Sequence, residues 1–160
     1  MSRYSVVFDK GNDMIDLAKA TAIVDKALEQ GRALKLPPLT VAVLDAAGCL
    51  VSFKREDGTS LLRPDIAQAK AYGALAMGIG SRAIAARAAA SPAFVSAVNV
   101  LAGGRLIPVP GGVLIRSVDK AIIGAVGITG ATSEQDEACA VAGITALGLW
   151  ADTGAEATTK

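Results

Sequence analysis

The chain of 160 residues contains no histidine. That absence removes His-based acid–base catalysis, Ser-His and Cys-His activation of a nucleophile, and the usual protein ligand of zinc or haem iron. The two cysteines, Cys49 and Cys139, are too few for a disulfide framework and lack CxxC spacing. Both are expected to be buried thiols in a reducing compartment. Charge of one sign is missing as well: 16 Lys and Arg face 15 Asp and Glu, leaving +1. No global field then draws the protein onto nucleic acid or an anionic membrane. No run reaches the roughly 18 apolar residues of a spanning helix, and the opening MSRYSVVFDK has no secretory apolar core, so a cytoplasmic location is expected. Only six prolines and 19% charged residues occur beside 52% hydrophobic ones. This excludes disorder and leaves one packed domain over 1–160, rich in Ala and Gly, with a frayed polar tail at 151–160.

Apolar spacing predicts a helix over 12–35, capped by Asn12 or Asp13 and stopped by Pro37-Pro38. TVAVLDA at 40–46 and CLVSFKR at 49–55, separated by a turn at Gly48, read as a β-hairpin. A helix follows over 65–79, another from Ser81, and a third opened by Ser91-Pro92 and closed near Gly103-Gly104. The segment 106–130 reads as three strands joined by Pro-Gly-Gly and Asp-Lys turns. A last helix runs from Thr132 or Ser133 to about Trp150. The order α, β, β, α, α, β, β, β, α implies an α+β fold, an antiparallel sheet covered by helices.

Four places carry candidate chemistry. Alternation along 49–55 puts Val51, Phe53 and Arg55 on one face, and Asp57 beyond them is placed to orient the Arg55 guanidinium for a ligand carboxylate. Lys70 is the only charge between Asp65 and Arg82, on a helical stripe with Ile66, Gly73 and Met77. An amine there pairs with an acid or has a lowered pKa, and either state serves binding or proton transfer. Arg63 is a second carboxylate anchor, and Tyr72 is a phenol of core, interface or proton-donor type. The glycines of GGR at 103–105 and of Pro110-Gly111-Gly112 match neither nucleotide-binding pattern; the latter make a turn that a ligand could approach closely. The acidic run 132–137 is explained by helix capping, with Thr132 and Gln135 as a capping box, so no metal is expected.

LDAAGCLVSFKREDG at 44–58, IAQAKAYGALAM at 66–77, PVPGGVLI at 108–115 and IIGAVGITGATSEQDEACA at 122–140 together resemble the GlcG/HbpS-like family. The resemblance spans nearly the whole chain. It implies a profilin-like five-stranded antiparallel sheet packed with helices, assembly into a higher homo-oligomer, and attention to Arg55, Asp57, Lys70, Gly111, Gly112 and Asp136. Family members include haem-binding sensors and proteins encoded beside enzymes of carboxylic-acid or aromatic breakdown.

Two functional expectations follow. The first is a cofactor-free enzyme acting on a small anionic metabolite, a tautomerase or eliminating (including dehalogenating) activity on an unsaturated hydroxy-dicarboxylate. In it Lys70, Arg55 and Asp57 are catalytic, and Arg63, Tyr72, Gly111, Gly112 and Asp136 bind substrate. The alternative is a haem-binding or redox-responsive protein, or a non-catalytic accessory subunit. Without His, haem would need a Tyr, Cys, Met, Thr or unusual Lys as iron ligand, with Tyr4, Tyr72, Cys49, Cys139 and the Met residues the first candidates, or would bind through propionate and apolar contacts alone.

Overall fold

A computed structural model describes residues 14–155. Helix α1, Leu17–Ala33, starts at Asp16, whose carboxylate accepts the Lys19 N–H at 2.7 Å. Asn12 and Asp13, expected as caps, precede the helix; Asn12 and Asp13 lie outside the described residues. Strands β1, Thr40–Asp45, and β2, Leu50–Arg55, form the expected hairpin. Its turn is held by Asp45 Oδ1, which accepts the N–H groups of Ala47 and Cys49 at 2.9 Å each. Gly48 supplies the left-handed φ of +80° that a residue with a Cβ seldom adopts.

Three helices follow on one side of the sheet: α2, Arg63–Met77; α3, Ser81–Ala90; and α4, Pro92–Leu101. The chain returns through β3, Gly112–Arg116, and β4, Ile122–Thr129. Helix α5, Ser133–Thr145, opens with the full Thr132–Gln135 capping box, and β5, Trp150–Asp152, closes the described chain. The five strands form one antiparallel sheet in the order β2-β1-β4-β3-β5. Helices α1 and α5 cover one face over a core of Ile23, Val24, Val41, Val43, Val126, Ile128 and Ile144. Helix α2 covers the other, with α3 and α4 beyond it.

The composition explains how closely α2 lies. Its buried residues are Ala67, Ala69, Ala71, Gly73, Ala74 and Lys70. A Cβ on Gly127 would stand 1.8 Å from the Ala67 carbonyl oxygen, and one on Gly112 2.2 Å from that of Lys70. Small residues on both surfaces let helix backbone sit directly on strand backbone.

Several expectations are corrected. No strand forms at 106–109: the Leu106 N–H donates to Asn99 Oδ1 at 3.0 Å, and its side chain is buried against Ile84 and Val95. The fifth strand comes instead from 150–152, where the sequence suggested the end of a helix and a frayed tail. Helix α5 stops at Thr145, Gly148 turns the chain with φ +72°, and Trp150–Asp152 pairs with β3. The Arg116–Asp152 ion pair at 2.8 Å pins it. A register shift between Val43 and Leu44 packs Val51 against the α1/α5 core, so Val51 does not share a face with Phe53. Cys139 is buried, but Cys49 on the hairpin turn is exposed.

Candidate functional site

Lys70 and Asp136 come from helices on opposite faces of the sheet and meet at its end. Lys70 Nζ donates to Asp136 Oδ2 at 3.0 Å and to the Ile128 carbonyl at 2.9 Å. The second carboxylate oxygen, Asp136 Oδ1, accepts the Ala131 N–H at 3.0 Å. The passage is open only because residue 111 has no side chain: a Cβ there would stand 2.9 Å from Lys70 Nζ. Gly111 also holds φ +113°, and its carbonyl accepts the Ile128 N–H. Gly112 donates its N–H to Ser81 Oγ at 2.7 Å. The backbone approached at this turn is that of α2.

Lys70 is 3% exposed and Asp136 1%. Burial lowers the Lys70 pKa against the pull of Asp136, and burial raises that of Asp136 against the pull of Lys70. Arg63 acts on both charges and donates from Nη1 to Thr129 Oγ1 at 2.6 Å. Lys70, Gly111, Gly112, Asp136 and Arg63 thus form one cluster, closed around its central pair. Asp136, placed in the first turn of α5, is the buried counter-ion of Lys70 in addition to ending that helix electrostatically.

Arg55 and Asp57 lie apart from it. Arg55 is exposed and donates from Nε to Thr59 Oγ1 at 2.6 Å and from Nη2 to the Thr59 carbonyl at 2.9 Å. Asp57 is exposed and forms no ion pair with Arg55. Its neighbour Glu56 does the structural work at this bend, accepting from the Leu39 N–H at 2.6 Å and from Arg32 at 2.7 Å.

Tyr72 belongs to a separate open cleft of about 340 Å³ between the hairpin turn, the outer face of α2 and the segment after α4. Leu44, Gly48 and Leu50 form one wall, Asp65, Gln68, Ala69 and Tyr72 the floor, and Gly104 and Arg105 the far wall. The Arg105 guanidinium stacks 3.8 Å from the Tyr72 ring centroid and donates from Nη2 to its hydroxyl at 2.9 Å. In the sequence Arg105 stands out only as part of a glycine-rich piece. Its signal was the pair of left-handed glycines before it, Gly103 and Gly104, with φ +65° and +78°, which turn the chain back onto α2. Tyr4 lies outside the described residues. Among the described residues, no group of three or more His, Cys, Asp or Glu is placed to hold a metal ion, and no helix is long and apolar enough to cross a membrane.

Comparison with solved structures gives the fold independently. The PduOC:heme complex superposes with TM-score 0.77 at 23% identity, covering 86% of this chain and 97% of that one. The Klebsiella pneumoniae protein ORFY gives 0.76 at 23%, covering 89% and 97%. HbpS gives 0.73 at 23%, covering 92% and 99%. A comparison with curated protein sequences returns no match. The family model described as "Haem degrading protein HbpS-like" matches residues 15–145, and the chain belongs to that family.

Proposed function

We propose that the protein binds haem and that the Tyr72–Arg105 cleft receives it. The family description and the haem carried by PduOC support the ligand; the cleft supports the place. Its contents fit the group: a phenol, Tyr72, and a guanidinium, Arg105, suited to a propionate; the Cys49 thiol is exposed on the adjoining turn. Leu44, Leu50 and Ala69 add apolar wall, and the volume lies within the ~300–1,000 Å³ range of ligand pockets. Apolar surface continues beyond it, since Leu61 and Leu62 are 88% and 63% exposed one turn before Asp65. Bound haem would supply iron redox and ligand-binding chemistry. Arg105 would neutralise a carboxylate, and Tyr72 or Cys49 would offer the iron its protein ligand.

The observation that carries the reading is the Tyr72–Arg105 pair set in an open, partly apolar cleft. Acid–base turnover at Lys70 has weaker support, because its nitrogen is closed to a substrate. The test is a visible-spectrum haemin titration of the wild type, Arg105→Ala, Tyr72→Phe and Cys49→Ser. A saturable one-to-one Soret shift is expected, weakened roughly tenfold by Arg105→Ala, about 1.4 kcal/mol, and altered in position by removal of the side chain that would hold the iron. A titration matching free haemin, or one indifferent to all three substitutions, overturns the proposal.

A further inference from the structure

We propose that Arg63, Thr129 and Thr40 form a second ligand site, one that takes a carboxylate, at the end of the sheet under the first turn of α2. Thr40 stands directly opposite Thr129 in the β1–β4 ladder. Opposed residues of an antiparallel pair share a face and bring their Cβ atoms to about 5 Å. That face is the one α2 covers, because Gly127, two residues before Thr129, lies beneath Ala67. Arg63, one turn earlier in α2, reaches down onto Thr129, the cross-strand neighbour of Thr40, and its contact with Thr129 Oγ1 fixes it there.

Two features support a carboxylate ligand here. Among the described residues, the Thr40 hydroxyl is the buried side-chain oxygen with no hydrogen-bond partner, although Thr40 is 0% exposed. A buried hydroxyl without a partner is destabilising, and an acceptor placed beside it regains a hydrogen bond. Arg63 is half-buried and has no carboxylate within ion-pair distance among the described residues, whereas Arg32, Arg82 and Arg116 each have one. Four of its five N–H donors remain after Thr129. A planar carboxylate matches that fork and accepts the threonine proton at the same time.

The carboxylate has two sources, a free small acid or a propionate of bound haem, and the test separates them. Amide NMR spectra of the protein are titrated with acetate, with inorganic phosphate and with haemin. The variants are Arg63→Gln, Arg63→Lys and the near-isosteric Thr40→Val, each checked for an unchanged thermal midpoint or a raised one.

Saturable acetate shifts at Gly130 and Ala131 are expected, lost in Arg63→Gln, weakened at least fivefold in Arg63→Lys, which keeps charge and loses the fork, and weakened in Thr40→Val. Retention of these shifts in Arg105→Ala makes the site independent of the cleft, so a missing Soret change leaves it standing. If haemin displaces acetate and Arg63→Gln weakens haemin, the carboxylate is a propionate. No saturable acetate shift, equal shifts in Arg63→Gln, or a response to phosphate alone overturns the assignment.

Discussion

Replacing Lys70 by Met keeps most of the buried stem and removes only the charge, which isolates the worth of the ammonium to its surroundings. Asp136, 1% exposed, is then left with the Ala131 N–H as its one remaining polar partner. Its carboxylate can stay charged without a counter-ion or take up a proton. The second course sets a ceiling: moving from an ordinary pKa of 3.8 to neutrality at pH 7 costs at most about 4.4 kcal/mol, at 1.36 kcal/mol per pH unit. At pH 5 the same ceiling is about 1.6 kcal/mol. The Ile128 carbonyl also loses its donor, worth about 1 kcal/mol. A destabilisation of about 3–5 kcal/mol at pH 7 is therefore expected, in line with breaking one half of a buried pair.

The sign of the pH dependence follows from burial. In the variant the pull of Lys70 against the desolvation of Asp136 is gone, leaving only the Ala131 N–H and Arg63 to oppose it, so its folded pKa rises further above the unfolded one. The stability linked to that group is complete below pH 3.8 and is lost as pH rises through the folded value. Relative to wild type, Lys70→Met should recover up to about 2.7 kcal/mol between pH 7 and pH 5. The double variant Lys70→Met/Asp136→Asn should recover most of the loss at both pH values, since no charge remains buried. Urea unfolding of the three proteins at the two pH values measures this. A single-variant cost below 1 kcal/mol at pH 7, or a cost independent of pH, would refute the reasoning, because it would mean that water solvates the carboxylate.

Cys139 is buried with its thiol pKa pushed up to about 11 by desolvation, whereas Cys49 is exposed. A disulfide thiol reagent at pH 7.5 should titrate one cysteine rapidly and the second only on unfolding; two fast equivalents would contradict the burial. Gly127→Ala would drive a Cβ to 1.8 Å from the Ala67 oxygen, and since backbone rather than a side chain must yield, a loss of about 3 kcal/mol, the upper end for overpacking, is expected, read as a fall in thermal midpoint or a failure to accumulate folded protein. Thr132→Ala removes the side-chain acceptor of the Gln135 N–H and should cost about 1 kcal/mol in urea unfolding. Arg82→Gln should cost less than the buried pair at Lys70, because the Arg82 side chain is 37% exposed and water screens the loss; equal costs would argue against the burial ranking.

What could be read in the sequence was whatever local chemistry decides. Ser91-Pro92, the Thr132–Gln135 box and the turn at Gly48 mark element ends because each satisfies or forbids a backbone group within four residues. The β5 strand was invisible for the opposite reason: Trp150–Asp152 is three residues long, and its stability comes from β3 and Arg116, more than 30 residues away. The apparent strand at 106–109 failed because Asn99, on α4, takes the Leu106 amide, a competition no periodicity encodes.

The same division runs through the sites. Lys70 announced itself, since a lone ammonium in a helix of Ala and Gly must find a partner. Yet Asp136, 66 residues further on, had a sufficient local explanation as a first-turn acid. Arg55 sat on the expected strand, but a threonine four residues away was closer to hand than any ligand. Charge in an apolar context therefore identified which residue was constrained, while only the three-layer stacking around glycines 111, 112 and 127 determined what constrained it. The closed Lys70–Asp136 pair is best understood as the clamp that ties α2 to α5, fixing the helix that carries both Arg63 and Tyr72.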